Sequence, residues 1–206
     1  MNTAPTSWEP PVYAIHQLKK PHDFHSLFSR PAPILLELGA GKGEFAQRVA
    51  LNRPDWNLLC VEIRAHRVRS IVKKCKGHDL RNITILQARF EHLIPHCFFP
   101  GFVDEIHMNF PDPWIKWKQR NRRMMTMEFV ESLAYLLKPG GSFHFATDIE
   151  AYADHSLELL EECRWFRNTH DNGSYTNDPE PYQKTLFYHH ALKAGRKSAF
   201  LKFERV

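Results

Sequence analysis

The residues best able to do chemistry stand in the stretch "MNFPDPWIKWKQRNRR", Met108 to Arg123. Asp112 sits between Pro111 and Pro113, Trp114 follows, and five of the eight residues from Lys116 to Arg123 are Lys or Arg. Proline fixes φ, so the Asp112 carboxylate is presented with little conformational freedom left to lose. A carboxylate held that way can stabilise positive charge developing on a reacting group. Trp114 offers a flat face for a base, and Lys116, Lys118, Arg120, Arg122 and Arg123 can neutralise phosphates. Each feature alone has an ordinary explanation: Asp-Pro favours turns, and a basic run is usually a solvated face. Side by side they point to a reactive site that must meet a polyanion.

A second constellation lies upstream. "ELGAGKGEF" places Gly39, Gly41 and Gly43 at alternate positions, directly after an apolar run and just before a helical pattern. Glycine permits the tight turn and lets a ligand approach where a Cβ would block it. The ligand then lies over a helix N-terminus, at the carboxyl ends of the strands. Glu62 closes the next apolar run, 21 residues after Gly41, where it can accept hydrogen bonds from both hydroxyls of a ribose. The spacing is GxGxG rather than the GxGxxG of dinucleotide sites, and Glu37 precedes it by two residues. A carboxylate there would repel a pyrophosphate but suits a cationic ligand.

These residues need a scaffold that brings separate loops to one edge. "ILLEL" from Ile34 and "WNLLCVEI" from Trp56 are apolar on both faces, as in a parallel sheet covered by helices. "NITILQA", "VDEIHMNF" and "SFHFATD" read as three further strands. "EFAQRVALNRP", "RAHRVRSIVKKCKG", "RRMMTMEFVESLAYLLKPGG" and "EAYADHSLELLEECRWF" read as helices, the second stopped by Gly77 and the third by Pro139 to Gly141. The tail "TLFYHHALKAGRKSAFLKFERV" reads as two strands turning at Ala194-Gly195, with His189 and His190 on opposite faces. Strands alternating with helices imply an open α/β sheet with right-handed crossovers, finished by a hairpin. Residues 1–33 carry six prolines and read as an extended arm, leaving 34–206 as a single domain.

Composition narrows the class. The net charge is +5 in 206 residues, which leans toward an anionic partner. Cys60, Cys75, Cys97 and Cys163 form no CxxC pair, so neither a zinc ribbon nor a redox motif is expected. His92, His96 and Cys97 resemble half a metal site, but no second half accompanies them, and no metal is expected. With no apolar leader and no run long enough to span a bilayer, the expectation is a cytoplasmic protein with reduced thiols.

Glu37-Leu38-Gly39-Ala40-Gly41-Lys42-Gly43 resembles motif I of the class I S-adenosylmethionine-dependent methyltransferases, E/D-x-G-x-G-x-G. "NFPDPWIKWKQRNRR" is similar to the FPDPWPKKRHxKRR signature of the bacterial tRNA (guanine-N7-)-methyltransferases. Thr147-Asp148 and Thr185-Leu186-Phe187-Tyr188 match that family's later T-D and T-x-F-E segments, with Tyr188 in place of the Glu. The resemblance runs from about Ile34 to the last residue. It implies a Rossmann-like, mostly parallel seven-stranded sheet with an antiparallel C-terminal hairpin. It also implies S-adenosyl-L-methionine as cofactor and a guanine N7 in the variable loop of tRNA as acceptor. In that reading Glu37 holds the methionine end, Glu62 the ribose, and the glycine loop the body of the cofactor. Asp112 is catalytic and borders the cofactor. Lys116, Asp148, Thr185 and Tyr188 contact the substrate, and Lys118, Arg120, Arg122 and Arg123 the RNA backbone. The family usually has an Asp-Ala pair beside the adenine; Arg89-Phe90 stands here, and backbone groups from Gln87 to Phe90 could serve instead.

Other readings remain open on the residues alone. One is methylation of another base or an exocyclic amine. A nicotinamide-dependent oxidoreductase is disfavoured by the missing GxGxxG. A nucleic-acid-binding module with a decayed cofactor site has Arg89 and Tyr188 in its favour. The working unit would be one chain or two.

Overall fold

The computed structural model describes residues 8–14, 23–90, 98–114, 118, 123–171, 173–177 and 184–206. The strands are β1 (Val12–Ala14), β2 (Ile34–Leu38), β3 (Asn57–Glu62), β4 (Ile83–Gln87), β5 (Val103–Asn109), β6 (Leu137–Thr147), β7 (Phe166–Asn168) and β8 (Ala199–Arg205). The helices are α1 (Glu44–Asn52), α2 (Ala65–His78), α3 (Met127–Leu136), α4 (Glu150–Glu162) and α5 (Leu186–Lys193). All eight strands form one sheet in the order β1-β4-β3-β2-β5-β6-β8-β7. The first six in that order are mutually parallel, and β8 runs antiparallel between β6 and β7.

Alternate residues of each strand feed two separate cores. Leu35, Leu58, Cys60, Ile83 and Ile85 pack with Phe45, Val49, Val68 and Ile71 of α1 and α2. Leu36, Leu59, Ile106, Phe143, Phe145 and Phe203 face the other way, against Val130 and Leu133 of α3 and Tyr152 and Leu160 of α4. Helices on both faces explain why β2 and β3 show no polar alternation: every residue of either strand is buried. Burying each large apolar side chain contributes roughly 1.5–3 kcal/mol.

Several boundaries differ from the sequence reading, each for a local reason. The seven-stranded sheet gains an eighth strand, β1, whose residues pair with Ile85 to Gln87 of β4. Pro11 precedes it and offers its carbonyl to Ile85 N, a role an edge strand allows to proline. Helix α2 runs through Gly77 and stops at Asp79, which takes the left-handed conformation at φ 50°. Helix α3 begins only after Thr126, whose hydroxyl accepts from Phe129 N at 3.3 Å, and ends at Leu136. The Pro139–Gly141 segment lies inside β6, where the register with β5 shifts between Val103 and Glu105. Helix α4 ends at Glu162, so Phe166 opens β7.

The tail holds the largest correction. Leu186–Lys193 is a helix, not a strand, because Thr185 caps it and Ala191 is buried. His189 and His190 are therefore exposed neighbours on that helix. The antiparallel partner of β8 at the sheet edge is β7, 30 residues upstream, with α5 between them.

Candidate active site

Strand order fixes where ligands can bind. From β2 the chain winds outward to β3 and β4, then returns to lay β5 on the other side of β2. That reversal opens a crevice above the carboxyl ends of β2 and β5. The parallel strands deliver five loops to this edge: Gly39–Gly43 after β2, Glu62 at the end of β3, Arg89 after β4, Asp112 after β5 and Asp148 after β6.

The glycine loop is built as its spacing suggested. Gly39, Gly41 and Gly43 all take positive φ, at 77°, 58° and 78°. Gly39 N and Ala40 N both donate to Val61 O, which folds the turn back over β3. A Cβ on Gly39 would meet nothing within 4 Å, so its face is open to a ligand. A Cβ on Gly43 would lie 2.9 Å from Ile71, so that glycine lets α1 approach α2. Gly43 caps α1 without a side chain, so no cap side chain takes up the first-turn N–H groups.

Two carboxyl groups flank the loop in different states. Glu62 is buried, and each of its oxygens accepts one backbone N–H: Gly41 at 2.9 Å and Arg64 at 2.8 Å. Arg67 lies 3.6 Å away. A carboxylate has about four acceptor sites, so Glu62 is oriented yet retains capacity for hydroxyl donors. Glu37 is also buried, on β2. Burial, reinforced by the charges of Glu44 and Glu62, pushes its carboxyl up to about 8. Such a group becomes a comfortable carboxylate only when a cation joins it. Sequence reasoning missed Asn109 at the end of β5. Its side chain lies beside Glu37, where a hydrogen bond from it favours the carboxylate, an effect that burial outweighs.

The Asp112 loop is strained and braced. Phe110 and Trp114 both take positive φ, at 51° and 41°, an uncommon state for large side chains that only a determined surrounding maintains. Phe110 N donates to Ala146 O at 2.7 Å, tying the loop to β6. Arg123 Nε donates to Pro113 O at 3.0 Å, and its guanidinium lies 5.0 Å from the centre of the Tyr152 ring. Arg123, expected on an RNA backbone, is thus engaged with the loop itself. Asp112 is exposed at the apex.

The third group gathers beside it. Phe187 of α5 stacks on Phe110 at 6.2 Å, which brings α5 against the Asp112 loop. Thr185 is buried and its hydroxyl caps α5, accepting from Tyr188 N at 3.3 Å. Tyr188 leans on Phe200, with ring centroids 6.1 Å apart. Asp148 accepts from Arg196 Nε at 2.8 Å, a partner the sequence did not single out. The two border an open cavity of about 520 Å³ whose lining includes Thr147, Tyr175, Asn177 and Lys197. Arg89 is exposed at the end of β4, with Phe90 packed on Phe129 at 5.9 Å.

Comparison with known proteins bears on this geometry. Residues 31–201 match the family described as "Putative methyltransferase". A tRNA (guanine-N(7)-)-methyltransferase of Polaromonas sp. (strain JS666 / ATCC BAA-500) is 36% identical over 198 residues, covering 95% of this chain and 80% of its own. That of Nitrosomonas eutropha is 34% identical, covering 95% and 87%. The chain belongs to the tRNA (guanine-N(7)-)-methyltransferase family. Solved structures agree on the fold: the 16S ribosomal RNA methyltransferase KamB superposes with a TM-score of 0.64 at 19% identity, covering 89% of this chain and 93% of that one. TrmN from Thermus thermophilus does so with 0.60 at 20% identity, over 86% and 45%.

Within this tRNA methyltransferase chain, Lys116, Arg120 and Arg122 lie outside the described residues, as do His92, His96 and Cys97; Lys118 is exposed. Among the described residues, Glu105, His107 and His144 bring three metal-ligand atoms within 4.8 Å of one another. The arrangement suits a polar network better than an ion. Arg53 occupies both oxygens of Glu105, at 2.7 and 2.9 Å. The two imidazoles stack face to face at 4.1 Å, which keeps their edges from converging. Burial lowers both histidines, so each stays neutral and His107 can donate to Glu105. Burial also pushes the Glu105 carboxyl up, but bonds from His107 and Arg53 outweigh it and hold the group well below the usual range. No helix among the described residues is long and apolar enough to cross a membrane.

Proposed function

We propose that this protein transfers the methyl group of S-adenosyl-L-methionine to N7 of a guanine in tRNA, in the variable loop, working as one chain or two in the cytoplasm. The observation that carries the reading is the shared edge: the open glycine turn, the oriented Glu62 and the braced Asp112 loop all emerge beside the β2–β5 crevice. The cofactor fits the groups present. Gly39 leaves room for it, Glu62 has acceptor capacity for the ribose, and the buried Glu37 with Asn109 beside it suits its cationic methionine end. Backbone groups from Gln87 to Phe90, those of Arg89 among them, take the adenine. When bound, S-adenosylmethionine supplies a methyl group activated by its sulfonium.

Guanine N7 carries a lone pair and no proton, so the protein needs no general base. Glu37, Glu62 and the glycine turn would hold the donor with its activated methyl group toward that lone pair, so that positive charge would develop on the guanine beside Asp112. The chain's contribution is placement and charge. Asp148 and Thr185 hold the base in line, which can lower the barrier by several kcal/mol. Asp112 faces the charge that appears on the ring, stabilising the transition state more than the ground state. Tyr188, leaning on Phe200, borders the base. Lys116, Lys118, Arg120 and Arg122 neutralise phosphates, whereas Arg123 holds the Asp112 loop.

The test is incubation with tRNA and labelled methyl donor, followed by digestion and identification of the modified nucleoside. The expected product is 7-methylguanosine mapping to the variable loop. Label on an exocyclic amine or on another base would replace the acceptor assigned here.

A further inference from the structure

Positive charge is distributed unevenly along this chain. Of 28 basic and 23 acidic residues, six basic and no acidic ones lie between 64 and 78. Five more basic residues and again no acidic one lie between 116 and 123. The rest of the chain therefore holds 17 basic against 23 acidic residues and is net negative. The second segment follows the Asp112 loop. The first is helix α2, to which the reactions described above assign nothing.

Helix α2 is placed where a long polyanion would pass. It starts just after Glu62, so its first turn adjoins the crevice. In the sheet, β3 and β5 lie on either side of β2, which puts α2 and the Asp112 loop on opposite flanks of the glycine turn. Its 14 residues then carry it down the side of the sheet for about 21 Å. Val68, Ile71 and Cys75 face the core. His66, Arg69 and Lys73, spaced three and four apart, lie on the opposite face and are exposed.

Some of the helix's charge is already matched. Arg67 lies 3.6 Å from Glu62, Lys74 lies 3.9 Å from Glu44, and Lys76 pairs with Glu9. Among the described residues, Arg64, Arg69 and Lys73 take part in no recorded ion pair. Cations projecting at successive turns from a face without acidic residues fit a sugar–phosphate strand, which offers charge at regular intervals and no sequence demand.

We propose that the outer face of α2 is a second RNA-binding surface, on which Arg69 and Lys73, continued toward the crevice by Arg64, hold the phosphate backbone of the tRNA body. This rests on the proposed tRNA substrate. It adds that the substrate is gripped as a folded RNA along the side of the sheet, at a distance from the base being methylated.

The experiment compares the wild type, Arg69→Gln/Lys73→Gln, and a control, Arg164→Gln/Arg167→Gln, which loses the same charge near the β7 edge. Binding of unmodified tRNA is measured from 50 to 200 mM salt, with methylation kinetics and S-adenosylhomocysteine affinity alongside. For Arg69→Gln/Lys73→Gln the expected result is roughly tenfold weaker tRNA binding, with the log–log salt slope shallower by about 1.5 to 2. KM for tRNA rises while kcat and S-adenosylhomocysteine affinity stay at wild-type values, which also reports an intact fold. The control keeps the wild-type slope. The inference is overturned if Arg69→Gln/Lys73→Gln keeps the wild-type affinity and slope, or if the control loses as much. A wild type that binds tRNA with this α2 dependence but places no methyl on guanine N7 would instead contradict the proposed reaction and leave the surface standing.

Discussion

Glu37 offers the sharpest link between stability and cofactor binding. Its carboxyl is raised from 4.5 to about 8 because it is buried beside Glu44 and Glu62. The folded, empty protein therefore holds a proton on Glu37 over a range where the unfolded chain has released it. The stability this contributes is complete below pH 4.5 and is lost as pH rises through 8. At about 1.4 kcal/mol per pH unit, the interval corresponds to an upper limit of roughly 5 kcal/mol, of which relaxation would leave about 3. Glu37→Gln keeps the shape and removes the titration. Relative to the wild type, the empty variant should gain thermal stability from pH 5 to pH 8.5, by roughly 6–12 °C at 2–4 °C per kcal/mol. Cofactor should reverse the ranking at pH 8.5, because only the wild type offers a carboxylate to the cationic methionine end. Calorimetry in two buffers of different ionisation enthalpy should show the wild type releasing about 0.9 proton per cofactor bound at pH 7, and the variant almost none. A melting difference independent of pH, or binding without proton release, would refute the reasoning.

Other outcomes follow from individual contacts. Gly43→Ala places a methyl group 2.9 Å from Ile71 at φ 78° and should lower the melting temperature by several degrees. Gly39→Ala meets no atom within 4 Å and should cost less stability while weakening cofactor binding, so a binding isotherm and a melt for each variant separate the two glycines. Arg196→Ala frees Asp148 from its 2.8 Å partner and should raise KM for tRNA about three- to tenfold with the cofactor Kd unchanged. Because burial keeps His107 and His144 neutral in the fold, the unfolded chain takes up protons that the fold refuses as pH falls below 6.5. Stability should therefore fall on acidification, and His144→Phe should flatten that limb in melts from pH 7 to 5.

Much of the site could be read from the sequence because its signals are local. Three glycines at alternate positions, an acidic residue at the next strand end and an aspartate locked between prolines each impose a backbone state on their own neighbours. What escaped the reading depends on contacts across the chain. "LFYHHALK" carries aromatic residues that favour strands, and only the Thr185 cap and the burial of Ala191 make it a helix. "VYA" is three residues long after two prolines and becomes a strand because β4 offers it an edge. Arg53 and Glu105, Arg196 and Asp148, and Asn109 and Glu37 are far apart in sequence, so no spacing rule relates them. Arg123 belongs to a basic run whose composition suggests solvent or phosphate, but its position after the loop turns it back onto Pro113.

The central claim is that the braced carboxylate of Asp112 acts on charge developing at the acceptor, in a crevice shared with the methyl donor. Single-turnover methyl transfer by Asp112→Ala, measured beside its cofactor Kd, tests this most directly. The account expects the transfer rate to fall by a factor of about 100 or more, with the cofactor Kd within a few-fold of wild type. A variant that transfers methyl at the wild-type rate would contradict it.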